Sequence, residues 1–274
     1  MKNKDSSLNS KKYMESLIAD TTDSQIHDLS SEVISMNNPV VNTMRNHTKE
    51  ILSFMIEFKE LMMMYKCAIK EIKTKFEILD TEFKIRYQRN PINFIKTRLK
   101  STTSIIEKMR RKNIPFTLEN IEKHIHDVAG VRVICSYADD IYSIAEALIR
   151  QDDIKLIEKK DYIAHPKPNG YRSLHLIVGI PVFFADQKRN MKVEVQIRTI
   201  AMDSWATLEH QLKYKRKITD EEEIAEQLKE CADLIAVIDS RMLDIRTKIE
   251  ANSSDPTEEE ILLKKLSKFD MPIE

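Results

Sequence analysis

The sequence predicts an α+β fold, with a mixed β-sheet in the middle of the chain and helices on both sides of it. Two observations predict it. Apolar residues recur at spacings of three and four before residue 87 and after residue 200, which is the period of an amphipathic helix. Between those regions lie short runs rich in β-branched residues, one of which alternates strictly between apolar and polar.

Residues 1–40 are polar, rich in Ser, Asn and Asp, and lack a sustained apolar period, so a flexible segment with at most a short helix is expected. From residue 41 to about 87, Ile51, Met55, Phe58, Met62, Tyr65, Ile69, Ile72 and Phe76 form a helical stripe that Pro91 ends. The run Met62-Met63-Met64 puts one or two members on that stripe in any register, which favours core packing over an adaptable binding surface. Residues 97–112 read as one further helix, basic through Arg98, Lys100, Lys108, Arg110, Arg111 and Lys112, with Ile105, Ile106 and Met109 buried beneath.

The texture then changes. Residues 128–136 (VAGVRVICS) read as a strand and 140–150 as a helix, and two further strands are expected at 173–182 (SLHLIVGIPV) and 192–198 (KVEVQIR). In the last, Val193, Val195 and Ile197 share one face while Glu194, Gln196 and Arg198 share the other. Helices return at 201–213 and 220–248. The second carries Ile224, Leu228, Leu234, Ile235, Ile238 and Leu243, a stripe that suits either a dimer seam or a strut packed on its own sheet. Pro256 sets off a final short helix at 257–268. The expected organisation is a flexible segment at 1–40, a helical region at 41–90, a core at 91–216 and a C-terminal helical region at 217–274 suited to oligomerisation.

Composition limits the function classes. Lys+Arg and Asp+Glu are both 44, so no global basic excess draws the whole chain to nucleic acid or to an acidic membrane, and anion binding has to be local. RNA binding is not indicated. No run approaches the ~20 apolar residues of a spanning helix. Cys67, Cys135 and Cys231 fit no metal spacing or disulfide framework and are expected as buried thiols in a cytoplasmic protein.

The loop at residues 164–175 (AHPKPNGYRSLH) concentrates Pro, Asn and one of three glycines directly before a strand. Such a turn brings Lys167, Tyr171, Arg172 and His175 together. A stacking aromatic, cations and a histidine are the composition of a nucleotide pocket, although a turn anchored by a tyrosine would share the pattern. Asp127 opens the first strand and Glu194 lies within the third. Strands of one sheet are about 4.8 Å apart, so both carboxylates could share one divalent ion, or each could instead pair with Arg132 or Arg198. The sequence HIHD (residues 124–127) contains the His-Asp pair of metal phosphohydrolases, but no second ligand cluster accompanies it.

These pieces resemble the synthetase domain of the RelA/SpoT family. The matching segments, in order and spacing, are RLKSTTSIIEKM (98–109), DVAGVRVI (127–134), HPKPNGYRSLHL (165–176), VEVQIRT (193–199) and MDSWATLEHQLKYK (202–215), which together span a little under half of the chain. The short remainder is similar to the small alarmone synthetases, and no segment resembles the hydrolase, ribosome-binding or regulatory domains of the long members. The resemblance implies a nucleotidyltransferase-like core and a magnesium-dependent transfer of pyrophosphate from ATP to the ribose 3′-hydroxyl of GDP or GTP, making (p)ppGpp for stringent-response signalling.

On that resemblance Arg98 and Arg132 would sandwich adenine, and Lys100, Ser104, Lys108 and Lys160 would reach the ATP phosphates. Their spacing of four would align Lys100, Ser104 and Lys108 on one side of a helix. Tyr171 would stack on guanine, with Lys167, Asn169, His175, Gln196 and Arg198 around the acceptor. Asp127 and Glu194 would hold Mg2+, Glu194 serving also as general base. A homo-oligomer, a tetramer by resemblance, is implied. Three positions depart from the family pattern: Ser204 replaces an aromatic, Lys160 an arginine, and Lys96 a small polar residue where some relatives bind a regulatory alarmone. Two other readings remain: a toxin-like relative acting on adenine nucleotides or the tRNA 3′ end, and a non-catalytic nucleotide- or RNA-binding module, against which the paired carboxylates argue.

Overall fold

The structure, a computed structural model, describes residues 39–86, 89–214, 221–252 and 262. The expected polar segment before residue 39 and the expected helix at 257–268 lie outside the described residues, Leu262 apart. Contacts divide the chain after Met55. The first unit contributes residues 39–55, all helical. The second, from Ile56 onward, carries the sheet and everything below.

Helix α1 (Pro39–Arg86) is the long amphipathic element that the spacing predicts. In the second unit its face of Leu61, Tyr65, Ala68, Ile69, Ile72, Phe76 and Leu79 is buried in the core. Strand β1 (Ile92–Leu99) and helix α2 (Thr102–Arg111) follow. The single helix expected at 97–112 is therefore corrected. Ile92, Phe94, Ile95 and Thr97 favour an extended chain. Ser101 then caps α2, its hydroxyl accepting from the Ser104 backbone N–H at 3.3 Å, which satisfies one of the helix's unpaired amino-terminal donors. Lys100 lies between the two elements, so it does not share a helical side with Ser104 and Lys108.

Next come α3 (Leu118–His124), capped by Thr117, then β2 (Ala129–Cys135) and α4 (Ala138–Ile149). Strand β3 (Lys155–Asp161), absent from the sequence reading, is a charged edge strand whose sequence KLIEKKD gives no apolar alternation. Strands β4 (Leu174–Phe183) and β5 (Lys188–Thr199) form a hairpin. Helices α5 (Ile200–Tyr214) and α6 (Glu221–Asn252) complete the described chain.

The sheet order is β1-β2-β5-β4-β3, with β2 and β5 parallel and the other pairs antiparallel, so the sheet is mixed as expected. Its apolar face is built from cross-strand pairs such as Leu174 with Ile197, Leu176 with Val195 and Val178 with Val193, all fully buried. Each such side chain contributes roughly 1.5–3 kcal/mol on burial. That apolar register fixes the opposite face, because side chains alternate along every strand.

Helix α6 departs from a single stripe. Ala232 is buried and Ile235 and Leu243 are partly buried, whereas Leu234 and Ile238 are 65% and 54% exposed. Leu234, Ile238, Met242, Ile245 and Ile249 repeat at spacings of three and four on an outer, solvent-facing side. The helix thus has an inner and an outer apolar face. The cysteines also differ from expectation: Cys135 is buried, but Cys67 is only partly so and Cys231 is exposed.

Candidate active site

The polar face of the sheet aligns its side chains in rows. One row crosses all five strands: Lys96, Arg132, Gln196, His175 and Lys160. The adjacent row brings Arg98, Gly130, Glu194 and Ile177 into register. Two cavities lie over these rows. The first, of about 390 Å3, is lined by Arg98, Lys100, Asp127, Arg132, Glu194 and Gln196 among others. The second, of about 170 Å3, is lined by Glu158, Lys160, Tyr162, Lys167, His175, Ile177 and Glu194. Glu194 is the one residue common to both linings.

Asp127 does not pair with an arginine. Lys108 Nζ donates to its Oδ1 at 2.7 Å and Lys100 Nζ to its Oδ2 at 3.0 Å. Burial pushes this carboxyl up, but the two ammonium groups outweigh it and hold the pKa below the usual aspartate value. Glu194 behaves likewise: burial raises it, while His175 and then Gln196 bring it below the ordinary range. Both groups are therefore ionised at neutral pH.

The surroundings of Glu194 form one hydrogen-bonded chain. Gln196 Nε2 donates to Glu194 Oε2 at 2.9 Å, and Arg198 donates to the Gln196 side-chain carbonyl at 2.7 Å. Arg198 also donates to the Tyr171 hydroxyl, which lies 2.8 Å from His175 Nε2. With the tyrosine proton directed at Nε2, the imidazole proton is on Nδ1, which faces Glu194 Oε1 at 3.5 Å, because the bond made by one ring nitrogen sets the proton on the other. Lys167 and Arg198 lie 4.9 and 5.0 Å from the centre of the Tyr171 ring, within reach of its negative face. Tyr162 meets His175 edge-on at 5.2 Å and carries Lys167 over its own face.

The loop that presents Tyr171 rests on α6. Gly170 has φ of +86°, and a Cβ there would fall 2.5 Å from the Ala232 side chain. Arg172 turns away from the cavities, donating to the Ala232 carbonyl at 3.1 Å and to Asp233 at 2.9 Å. It is a fastening for the loop. Asn169 accepts from the Tyr171 N–H at 3.3 Å and donates to Glu209 at 3.2 Å. Its side chain therefore shapes the same turn, as asparagine does when it bonds the backbone two residues on.

A protein-family model described as the region found in RelA / SpoT proteins matches residues 97–219. GTP pyrophosphokinase YwaC of Bacillus subtilis is 41% identical over 204 residues, covering 74% of this chain and 97% of that protein. The chain belongs to the RelA/SpoT family. GTP pyrophosphokinase YjbM of the same organism is 36% identical over 194 residues, covering 71% of this chain and 90% of that protein. Among solved structures, small alarmone synthetase 2 from B. subtilis superposes with a TM-score of 0.63 at 41% identity, covering 70% of this chain and 99% of that one. Small alarmone synthetase 1 bound to its product pppGpp gives 0.64 at 36% identity, with 71% and 98% covered.

In this RelA/SpoT chain Arg98, Lys100, Arg132, Asp127, Glu194 and Gln196 meet at the first cavity, and Lys167 and His175 at the second. Lys108 reaches the first through Asp127. Ser104 lies on the first turn of α2, its hydroxyl bonded to Ser101 at 2.9 Å. Lys160, expected beside the ATP phosphates, lines the second cavity and pairs with Glu158 at 3.1 Å. The alternative pairing of Asp127 and Glu194 with arginines is overturned, because Arg132 and Arg198 both turn to Asp203, at 3.0 and 3.2 Å. The sequence reading missed Asp203 and also Tyr162. Tyr162 could have been found from its place two residues beyond Lys160, on the same side of an extended chain.

Asp127 and Glu194 are the carboxylates of the first cavity, and no group of three or more His, Cys, Asp or Glu suited to a metal occurs among the described residues. Two carboxylates fit an ion such as Mg2+, which takes one or two from the protein and fills its shell with water and phosphate oxygens. The His124–Asp127 segment offers less, since His126 is bonded to the Lys123 carbonyl at 2.9 Å.

Proposed function

We propose that this chain is a GTP pyrophosphokinase, moving the β,γ-pyrophosphate of ATP to the ribose 3′-hydroxyl of GDP or GTP and releasing AMP. The observation that carries the reading is Glu194, an ionised carboxylate that lines two neighbouring cavities with different side chains around them. One is rich in arginine and lysine with a paired carboxylate, suited to a nucleoside triphosphate. The other is walled by Tyr162, His175 and Lys167, suited to a base and its ribose phosphate. The names of the B. subtilis relatives agree with this assignment.

Arg98 and Arg132 grip adenine, and Lys100 and Lys108 turn from Asp127 towards the phosphates. Asp127 and Glu194 hold Mg2+, which supplies neutralisation of phosphate charge. The acceptor 3′ oxygen attacks the β-phosphorus in line, forming the new P–O bond as the bond to the α,β-bridging oxygen breaks and AMP leaves. Glu194 takes the hydroxyl proton, and His175 and Gln196 fix the orientation of its carboxylate.

The reading is tested with purified protein, γ-labelled ATP and GMP, GDP, GTP, ADP or bulk tRNA as acceptors, with Mg2+ or with excess chelator. The expected result is label on guanine nucleotides, AMP released, and no transfer in chelator. Label on adenine nucleotides or tRNA overturns the guanine assignment, and no transfer at all overturns the enzymatic one.

The outer apolar face of α6 supports a homo-oligomer, extending to the tetramer that the family resemblance implies, because a stripe of five exposed apolar side chains is costly to leave in water. Ile238→Lys is expected to convert the assembly to a smaller species by light scattering at micromolar concentration. An unchanged mass removes this face as the seam. A cytoplasmic location is supported by free Cys67, Cys135 and Cys231 and by the absence, among the described residues, of any helix long and apolar enough to cross a membrane.

A further inference from the structure

We infer that Asp203 is a positioning residue that ties the grip on ATP to the grip on the acceptor nucleotide, an inference that rests on the proposed pyrophosphokinase reading. Asp203 lies in the first turn of α5 and is 5% exposed, yet it touches neither cavity. Its Oδ1 accepts from two guanidinium groups, Arg132 Nη1 at 3.0 Å and Arg198 Nη1 at 3.2 Å. Its Oδ2 faces Lys96 Nζ at 3.5 Å. Three cations thus converge on one buried carboxylate.

The two arginines stand differently to the cavities. Arg132 lines the first cavity, and its Nε is buried with no hydrogen-bond partner, so Asp203 is the fixed point for that guanidinium among the described residues. Arg198 is 3% exposed and lines neither cavity. It acts through Tyr171 on the acceptor side and through Gln196 on Glu194. The bonds run continuously from Arg132 through Asp203, Arg198 and Gln196 to Glu194.

Two guanidinium groups this close repel each other, and without a shared anion neither would hold its geometry. The location of Asp203 adds to its suitability, since the amino-terminal turn of a helix favours a carboxylate. An adenine settling against Arg132 changes the competition for Oδ1, and Arg198 feels that change directly. Asp203 therefore does more than fill a buried position: it makes the acceptor side sensitive to occupancy of the ATP side.

Asp203→Asn keeps the shape and an accepting oxygen but removes the charge. In a variant shown to be folded by circular dichroism, a non-hydrolysable ATP analogue and GDP, titrated separately, are each expected to bind about tenfold more weakly. Wild-type affinity for both, or a loss confined to one, overturns the inference.

A second measurement needs no variant. In wild-type protein with 15N-labelled arginine, the guanidinium resonances of Arg198 are expected to move when the ATP analogue is added, although Arg198 lies outside the first cavity. Resonances that stay fixed while those of Arg132 shift overturn the link, whether or not Asp203→Asn folds. The two readings fail differently. If wild-type protein transfers no pyrophosphate to a guanine nucleotide, the proposed function fails, whereas transfer with unlinked arginines removes only the role of Asp203.

Discussion

Replacing Glu194 by Gln is expected to lower the single-turnover rate of transfer by about 10³-fold, within the range by which a positioned general base accelerates a reaction. The amide cannot accept the 3′-hydroxyl proton, and it removes one of the two carboxylates that line the first cavity. It is nearly isosteric, however, and the strand on which it sits is locked on its apolar side by Val193, Val195 and Ile197, all fully buried. Binding of a non-hydrolysable ATP analogue and of GDP to metal-free protein should therefore stay within about threefold of wild type, an energy difference below about 0.7 kcal/mol. Rapid-quench kinetics paired with equilibrium titration measure the two quantities separately. A variant that transfers at the wild-type rate would remove Glu194 from the chemistry and leave its place between the cavities without a role.

The second large effect is expected away from both cavities. Gly170→Ala places a side chain at φ of +86° and drives its Cβ to 2.5 Å from that of Ala232. L-residues are strained at such a φ. Together these cost about 2 kcal/mol or more, which for a chain of this size lowers Tm by roughly 4–8 °C. If the turn lifts from α6 instead, the cost moves to function, because Tyr171 and His175 are carried by that segment. The expected kinetic signature is a KM for the guanine nucleotide raised about tenfold with the KM for ATP unchanged. Adding Ala232→Gly removes the nearest clash and should recover part of the loss, but not all of it. The positive φ persists, and Lys229 Cα remains 3.3 Å from the added carbon. Glycine inside a helix also costs about 1 kcal/mol. Identical behaviour of the single and double variants would show that packing against α6 does not set the loop.

Most of the sheet face was legible in advance for a simple reason. Alternation in KVEVQIR assigns Glu194, Gln196 and Arg198 to one side whatever the neighbours are, and the structure keeps them there. Strands β1 and β3 were not legible. The first runs into the basic stretch ahead of α2 with nothing but Ser101 to mark the boundary, and the second is a charged edge strand with one solvated side and no apolar rhythm. Missing β1 changed the meaning of Arg98 and Lys100. Neither rides on a helix: Arg98 is aligned with Gly130 across a ladder, and Lys100 leaves that ladder to meet Asp127.

The family, the α+β class, the long flanking helices and the polar side of the strand that carries Glu194 could all be read from the chain alone, because each rests on local periodicity or on a contiguous motif. The partners could not, and folding chose them. Asp127 takes two lysines rather than an arginine, Arg172 serves α6 rather than a cavity, and Asp203 collects Lys96, Arg132 and Arg198 from three separate strands. Those choices depend on which strands lie side by side and on how far each charge is removed from water. Burial and register are properties of the folded chain as a whole, and no window of sequence contains them.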